Sequence, residues 1–154
     1  MIRIMFVCYG NICRSPMAEM ICKEMAKRRG VADQIMVASS ATSTEEIIRG
    51  VGNPVYPQAR AELERHGIPC LPHRAVQLCW ADYEKYDLFL GMDRQNIYHM
   101  LQILHTDPMG KIHMAMHFTG NDNDVEDPWY NGRFDVVYEQ LTAACAALLD
   151  QFTK

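Results

Sequence analysis

The chain of 154 residues carries 15 Lys and Arg against 19 Asp and Glu, a formal net charge of −4, with 49% hydrophobic and 22% charged residues. That length supports a full hydrophobic core without disulfide or metal staples, so a single domain over residues 1–154 is expected. The acidic balance argues against nucleic acid or an anionic membrane as the main partner, and any phosphate site must therefore be local. The first apolar run is short and meets Cys8-Tyr9-Gly10-Asn11 rather than a small-residue cleavage site, which implies neither a signal peptide nor a membrane span. Six cysteines, at positions 8, 13, 22, 70, 79 and 145, lack the paired spacing of a secreted framework. The expectation is a cytoplasmic protein with mostly reduced thiols.

In chain order, Ile2, Ile4, Met5, Phe6 and Val7 read as a buried strand. A loop from Cys8 follows, and Pro16 suits the first position of a helix running to Arg29, with Ser15 at the N-cap and Gly30 as the stop. Gln34 to Ser39 gives a second strand, making a parallel, right-handed strand-helix-strand unit whose loop lies at the carboxyl edge of the sheet. Residues 40–56 read as a long functional loop with room for one helical turn. Pro57 to His66 is a short helix ended by Gly67, and Ile68 to Leu78 crosses back toward the sheet. Asp82 to Tyr86 is a short helix before a strand at Asp87 to Met92, Asp93 caps a helix to about His105, and Lys111 to Phe118 offers a fourth strand. The polar, acidic and aromatic stretch 121–133 suggests an excursion over the ligand site. Asp135 to Phe152 closes the chain, with Val136, Val137, Leu141, Cys145, Leu148, Leu149 and Phe152 on its buried side.

The chemistry concentrates in Cys8 to Pro16. A loop between a strand end and a helix start turns its backbone N–H groups inward, and the helix dipole adds partial positive charge there. Tyr9, Gly10, Asn11, Ile12, Cys13 and Ser15 would supply donors to a bound oxyanion, and Arg14 can hold two of its oxygens bidentately. The same groups favour the thiolate of Cys8 at the floor. Gly10 permits close backbone approach, and Asn11 tolerates a left-handed conformation. A thiolate that takes a phosphoryl group from an ester needs an acid from outside the loop to protonate the departing oxygen. Asp127, in Val125-Glu126-Asp127-Pro128-Trp129-Tyr130, is the best candidate, although Asp-Pro also commonly starts turns. Neighbouring Asp124 and Glu126 add like charge beside it, or are solvated loop charges. His113 and His117, four apart on the assigned strand, would stand about 13 Å apart and could not share an ion, so no metal is expected.

Cys8 to Pro16, followed by Met17-Ala18-Glu19, resembles the phosphate-binding loop of the low-molecular-weight protein tyrosine phosphatases. A bare C-x5-R would say little. C-x-G-N-x-C-R-S-P directly after an N-terminal strand is much more specific. The resemblance extends to Ser39-Ser40-Ala41-Thr42, to His73-Arg74-Ala75-Val76-Gln77, to Met92-Asp93 and to the Asp127-Pro128 segment. It implies an α/β fold with a four-stranded parallel sheet and helices on both faces, and hydrolysis of phosphotyrosine through a phosphocysteine. By the same resemblance Cys8 is the nucleophile, Arg14 binds phosphate, and Asp127 is the general acid and base. Asn11, Ser15, Ser39 and His73 form the network that holds the loop open, and Tyr9, Ile48, Trp129 and Tyr130 wall the pocket. Cys13 is either a partner for a reversible disulfide with Cys8 or a packed thiol. Partners would be tyrosine-phosphorylated proteins or peptides, with inorganic phosphate and other oxyanions as inhibitors and no cofactor.

Three departures bear on specificity: Val76 stands where arginine is usual, Tyr56-Pro57 replaces Asp-Pro, and Ile47-Ile48 lies where many members have tryptophan. Arsenate reductases share the fold and a similar loop but rely on a closely spaced downstream cysteine pair. Cys70 and Cys79, with eight residues between them, match that poorly. A non-catalytic anion-binding module is the third reading, disfavoured by the presence of both Cys8 and Asp127.

Overall fold

The computed structural model describes all of residues 1–154. Strand β1 (Ile2–Cys8) leads into helix α1 (Arg14–Arg28), and β2 (Ile35–Ala41) follows. Next come the short strands β3 (Ile47–Ile48) and β4 (Val51–Gly52) and helix α2 (Pro57–Arg65). Strand β5 (Leu88–Gly91), helix α3 (Arg94–Leu104) and strand β6 (Ile112–Met114) complete the sheet, and α4 (Pro128–Asn131) and α5 (Phe134–Phe152) close the chain. The main sheet has the order β2-β1-β5-β6 with every pair parallel, the four-stranded α/β architecture expected from the sequence.

Burial on both faces follows from the alternation in β1. Ile4, Phe6 and Cys8 face the larger core, with Met17, Met20 and Ile21 of α1 and Val137, Leu141 and Leu148 of α5. Met5 and Val7 point to the other face and pack with Phe89, Met100 and Leu104. Along α5, Phe134 and Ala144 join the buried side, whereas Val136 and Phe152 are half-buried.

Four expectations are corrected. Helix α1 starts at Arg14 with Cys13 at the N-cap, because the Ser15 hydroxyl is turned inward to Cys8 and Asn11 instead of capping. The loop over residues 40–56 holds a hairpin in place of a helical turn. Ile47 and Ile48 pair antiparallel with Gly52 and Val51 across Arg49 and Gly50, whose φ values of 52° and 80° are those a two-residue hairpin turn requires. The short helix before β5 is a 3-10 turn over Trp80–Glu84. The fourth strand stops at Met114 because β5 offers it only Phe89 to Gly91, and Ala115–Thr119 then turns Met116 and Phe118 onto the larger core. That turn stacks the His113 and His117 rings at 5.0 Å, so the separation predicted for an extended strand does not hold. His113 Nε2 lies 3.0 Å from the Gly110 carbonyl and His117 Nδ1 2.9 Å from Asp122, and no group of three or more potential ligands forms.

The hairpin is held close to the sheet edge at Gly52. Ala75 N–H donates to the Asn53 carbonyl at 2.9 Å, Arg74 Nη1 donates to the Gly52 carbonyl at 3.0 Å, and a Cβ on Gly52 would stand 2.0 Å from the Ala75 oxygen. Backbone cannot yield to that. Gly52→Ala is expected to lower the urea unfolding free energy by about 1–3 kcal/mol, while the exposed Val51→Ala next to it costs no more than about 0.5 kcal/mol.

Candidate active site

The loop from Cys8 to Arg14 closes around one side chain. Asn11 is fully buried, sits at φ 60°, and uses its amide in both directions. Its Oδ1 accepts from the Val76 N–H at 3.1 Å, and because that group can only donate, the amide orientation is fixed. Oδ1 also meets His73 Nε2 at 3.0 Å, so this ring nitrogen carries the proton. On the other side Nδ2 donates to Ser39 Oγ at 3.0 Å and to Ser15 Oγ at 2.8 Å. Ser39 passes its own proton to Glu19 at 2.6 Å, and Lys23 pairs with the other Glu19 oxygen. Ser15 Oγ lies 3.0 Å from Cys8 Sγ, placed to donate its proton when the sulfur is a thiolate, and the Asn11 N–H donates to the same sulfur at 3.2 Å. Two donors thus converge on the sulfur, the arrangement that a thiolate needs.

The other loop amides are unspent: the N–H groups of Gly10, Ile12, Cys13, Arg14 and Ser15 meet no acceptor within the protein. Helix α1 adds its positive end, with no side-chain cap and no acidic residue in its first turn. Arg14 is buried and held from three sides. Its Nη1 donates to the Val125 carbonyl at 3.1 Å, and its Nη2 lies 3.0 Å from Asp93 and 3.7 Å from Asp127.

A cleft of about 350 Å³ opens above this floor. Cys8, Tyr9, Gly10, Asn11, Ile12, Cys13, Arg14, Asp127, Trp129 and Tyr130 line it, so the sequence-predicted loop, acid and aromatic residues come together. Ser15 does not line the cleft but lies buried beneath it against the sulfur. Ile48 is corrected: it is exposed on the hairpin away from the cleft, and Glu45 and Glu46 border the opening instead. Glu45 accepts from the Tyr9 hydroxyl at 2.9 Å, a bond that raises the Tyr9 phenol above its ordinary range. Asp124 accepts from the Arg94 N–H and Glu126 from the Asn131 amide, while Asp127 has Arg14 Nη2 at 3.7 Å.

Sequence reasoning missed Asp93, Gln95 and Glu19 as parts of this assembly. Asp93 was legible as a helix cap, which it is, accepting from Asn96 N at 2.8 Å, but its second oxygen serves Arg14. Cys13 lines the cleft beside the nucleophile candidate, and burial first, then the neighbouring Cys8, push its thiol up to about 12. At neutral pH Cys13 is therefore an un-ionised thiol.

Burial holds the His73 imidazole below its ordinary value, with Glu19 partly offsetting the effect. The folded protein thus refuses a proton that the unfolded chain accepts. This contribution to stability is complete above about pH 6.5 and is lost progressively as pH falls below it. Unfolding followed from pH 7 to pH 5.5 is expected to show a smaller decline for His73→Gln than for the parent. Asn11→Gly, which keeps the left-handed backbone and deletes the amide, is expected to cost about 1–3 kcal/mol in urea at pH 7.

Comparison with known proteins agrees with this geometry. The sequence model described as "Low molecular weight phosphotyrosine protein phosphatase" matches residues 3–154. The human low molecular weight phosphotyrosine protein phosphatase is 31% identical, with 96% of this chain and 94% of the human protein covered. The crystal structure of YfkJ from Bacillus subtilis superposes with a TM-score of 0.90 at 31% identity, covering 98% of this chain and 94% of that one. That of Vibrio vulnificus Wzb in complex with benzylphosphonate gives 0.81 at 27% identity, covering 97% and 98%. A loop built around a buried asparagine, a sulfur receiving two donors and full-length similarity to these enzymes lead to one conclusion: the chain belongs to the low-molecular-weight phosphotyrosine protein phosphatases.

Proposed function

We propose that this chain hydrolyses phosphotyrosine in proteins or peptides, acting as a single catalytic domain over residues 1–154. The observation that carries the reading is the convergence of the Ser15 hydroxyl and the Asn11 N–H on Cys8 Sγ, beneath a cleft that also holds Arg14 and Asp127. The thiolate of Cys8 attacks phosphorus in line with the departing tyrosyl oxygen. As the P–O bond breaks, Asp127 gives that oxygen its proton, and the phosphoryl group rests on sulfur. Its equatorial oxygens are met by Arg14 and by the loop N–H groups that no protein acceptor occupies. Asp127, now a carboxylate, takes a proton from water as the water attacks phosphorus, and the S–P bond breaks to return the thiolate and release phosphate.

Trp129 and Tyr130, exposed at the rim with Tyr9, suit the walls against which a phenyl ring stacks. The benzylphosphonate complex of the Vibrio vulnificus relative supports the same occupant class here, an aryl group carrying a tetrahedral oxyanion. Inorganic phosphate and similar oxyanions would compete for the loop, and neither metal nor cofactor enters these steps. The arsenate-reductase reading is not favoured, because Cys70 and Cys79 lie outside the cleft, whose second thiol is Cys13. No helix is long and apolar enough to cross a membrane, and six unpaired cysteines suit a reducing, cytoplasmic setting.

The reduced protein is expected to release phosphate from a phosphotyrosine peptide at mildly acidic pH without added metal, and Cys8→Ser to abolish release. Asp127→Ala should lower kcat by about 10²–10⁴-fold. Undiminished turnover in Asp127→Ala would remove the acid assignment. Absence of turnover in the folded parent would send the search to arsenate with a thiol reductant.

A further inference from the structure

The candidate acid sits on a segment with little core of its own. Helix α4 has four residues, of which only Pro128 is buried, and the Trp129 side of the segment faces largely outward. Asp127 Oδ1 is fixed by the Trp129 N–H at 3.1 Å, so the place of the carboxyl depends on the place of Trp129. The Trp129 ring in turn meets Tyr56 edge-on, with centroids 5.3 Å apart and planes at 61°. Tyr56 is anchored on two further sides: its ring lies nearly parallel to that of Phe134 at 6.2 Å, and its N–H donates to the Ile12 carbonyl at 2.8 Å. Ile12 belongs to the phosphate-binding loop itself. A continuous set of contacts therefore runs from that loop through Tyr56 and Trp129 to Asp127.

We infer that Tyr56 is a positioning residue, setting the distance between the phosphate-binding loop and the acid through its edge contact with Trp129. The inference rests on the reading of Asp127 as general acid. Tyr56 touches neither substrate nor the reacting atoms. It acts by placing a proton donor whose usefulness falls steeply when it is displaced by even an ångström. The sequence signal was the departure from Asp-Pro at Tyr56-Pro57. An aspartate at this position could not offer an aromatic edge to Trp129.

Acid placement can be read separately from folding through the leaving group. The p-nitrophenolate ion departs without a proton, whereas phenolate needs one, so a misplaced acid slows phenyl phosphate more than p-nitrophenyl phosphate. The quantity to compare is kcat/KM, which covers the steps through P–O cleavage. Tyr56→Leu is expected to lower kcat/KM for phenyl phosphate about tenfold and for p-nitrophenyl phosphate less than about threefold. Tyr56→Phe, which keeps the ring, should hold both within about twofold, and the inhibition constant for inorganic phosphate should stay within about twofold in each variant, since the loop is intact. Tyr56→Met, which fills more of the ring's volume but offers no aromatic edge, is held to the same ratio, which keeps the test open if Tyr56→Leu does not fold. Equal loss on both substrates, or an unchanged ratio, would overturn the role of Tyr56. Asp127→Ala is the benchmark: if it leaves the ratio unaltered, the acid assignment fails, independently of Tyr56.

Discussion

The orientation of one buried amide is the constraint on which the site depends. Asn11 stands in the left-handed region, where an uncapped β-branched or bulky residue would be strained, and its side chain makes four hydrogen bonds in a place that water does not reach. The Val76 N–H can only donate and the Glu19 carboxylate can only accept, and these two ends fix the Asn11 amide and the Ser39 hydroxyl between them. The end of that sequence is the Ser15 hydroxyl aimed at Cys8. A half-satisfied version would leave buried polar groups unpaired at a cost of about 1–3 kcal/mol each, so the network favours one loop conformation over its alternatives.

The second requirement is to bring residues distant in sequence to the same sheet edge. Strands β1 and β5 are adjacent and parallel, so their carboxyl ends open side by side, and Cys8 and Asp93 emerge there. The excursion that carries Asp127 reaches this edge through Val125, whose N–H donates to the Met92 carbonyl at 2.8 Å and whose carbonyl accepts from Arg14. One buried residue thereby ties the excursion both to the end of β5 and to Arg14. The hairpin is attached to the loop in a similar way: Ser43 donates from its N–H and its hydroxyl to the Tyr9 carbonyl. Much of the cleft wall is thus secured by main-chain groups.

What could be read from the sequence was whatever local chemistry dictates. The strand-loop-helix unit was legible because a buried run, a glycine-asparagine turn and a helix-starting proline each have one local solution, and the fold followed from it. The hairpin at 47–52 was not legible. Its turn uses Arg49 and Gly50, and arginine carries no signal for positive φ, so the stretch read only as a long loop. The overlong fourth strand had a different cause. The pattern from Ile112 to Phe118 alternates well enough, but strand length is set by the neighbour, and β5 ends at Gly91. Asp93 was seen in one role and has two, because nothing local in a sequence shows that a helix-capping carboxylate also faces an arginine eighty residues earlier. The misplacement of Ile48 follows directly from the missed hairpin, since a two-residue turn swings its neighbours out from the cleft.

The charge balance of the cleft links these parts to the reaction. Arg14 is the one cationic side chain lining it, against Glu45, Glu46, Asp93 and Asp127, in a protein whose net charge is already negative. A dianion is therefore drawn in only at the floor, where free N–H groups, the helix end and the guanidinium act together over a few ångströms. Asp93 and the Val125 carbonyl occupy part of the five-donor set of Arg14 and so fix its plane before any ligand arrives, which a lysine with its freely rotating head could not match. Asp127 touches the same guanidinium only at 3.7 Å, a looser contact than that of Asp93. A ligand oxygen at Arg14 therefore meets a firmly paired Asp93 and a loosely held Asp127 on the same guanidinium nitrogen.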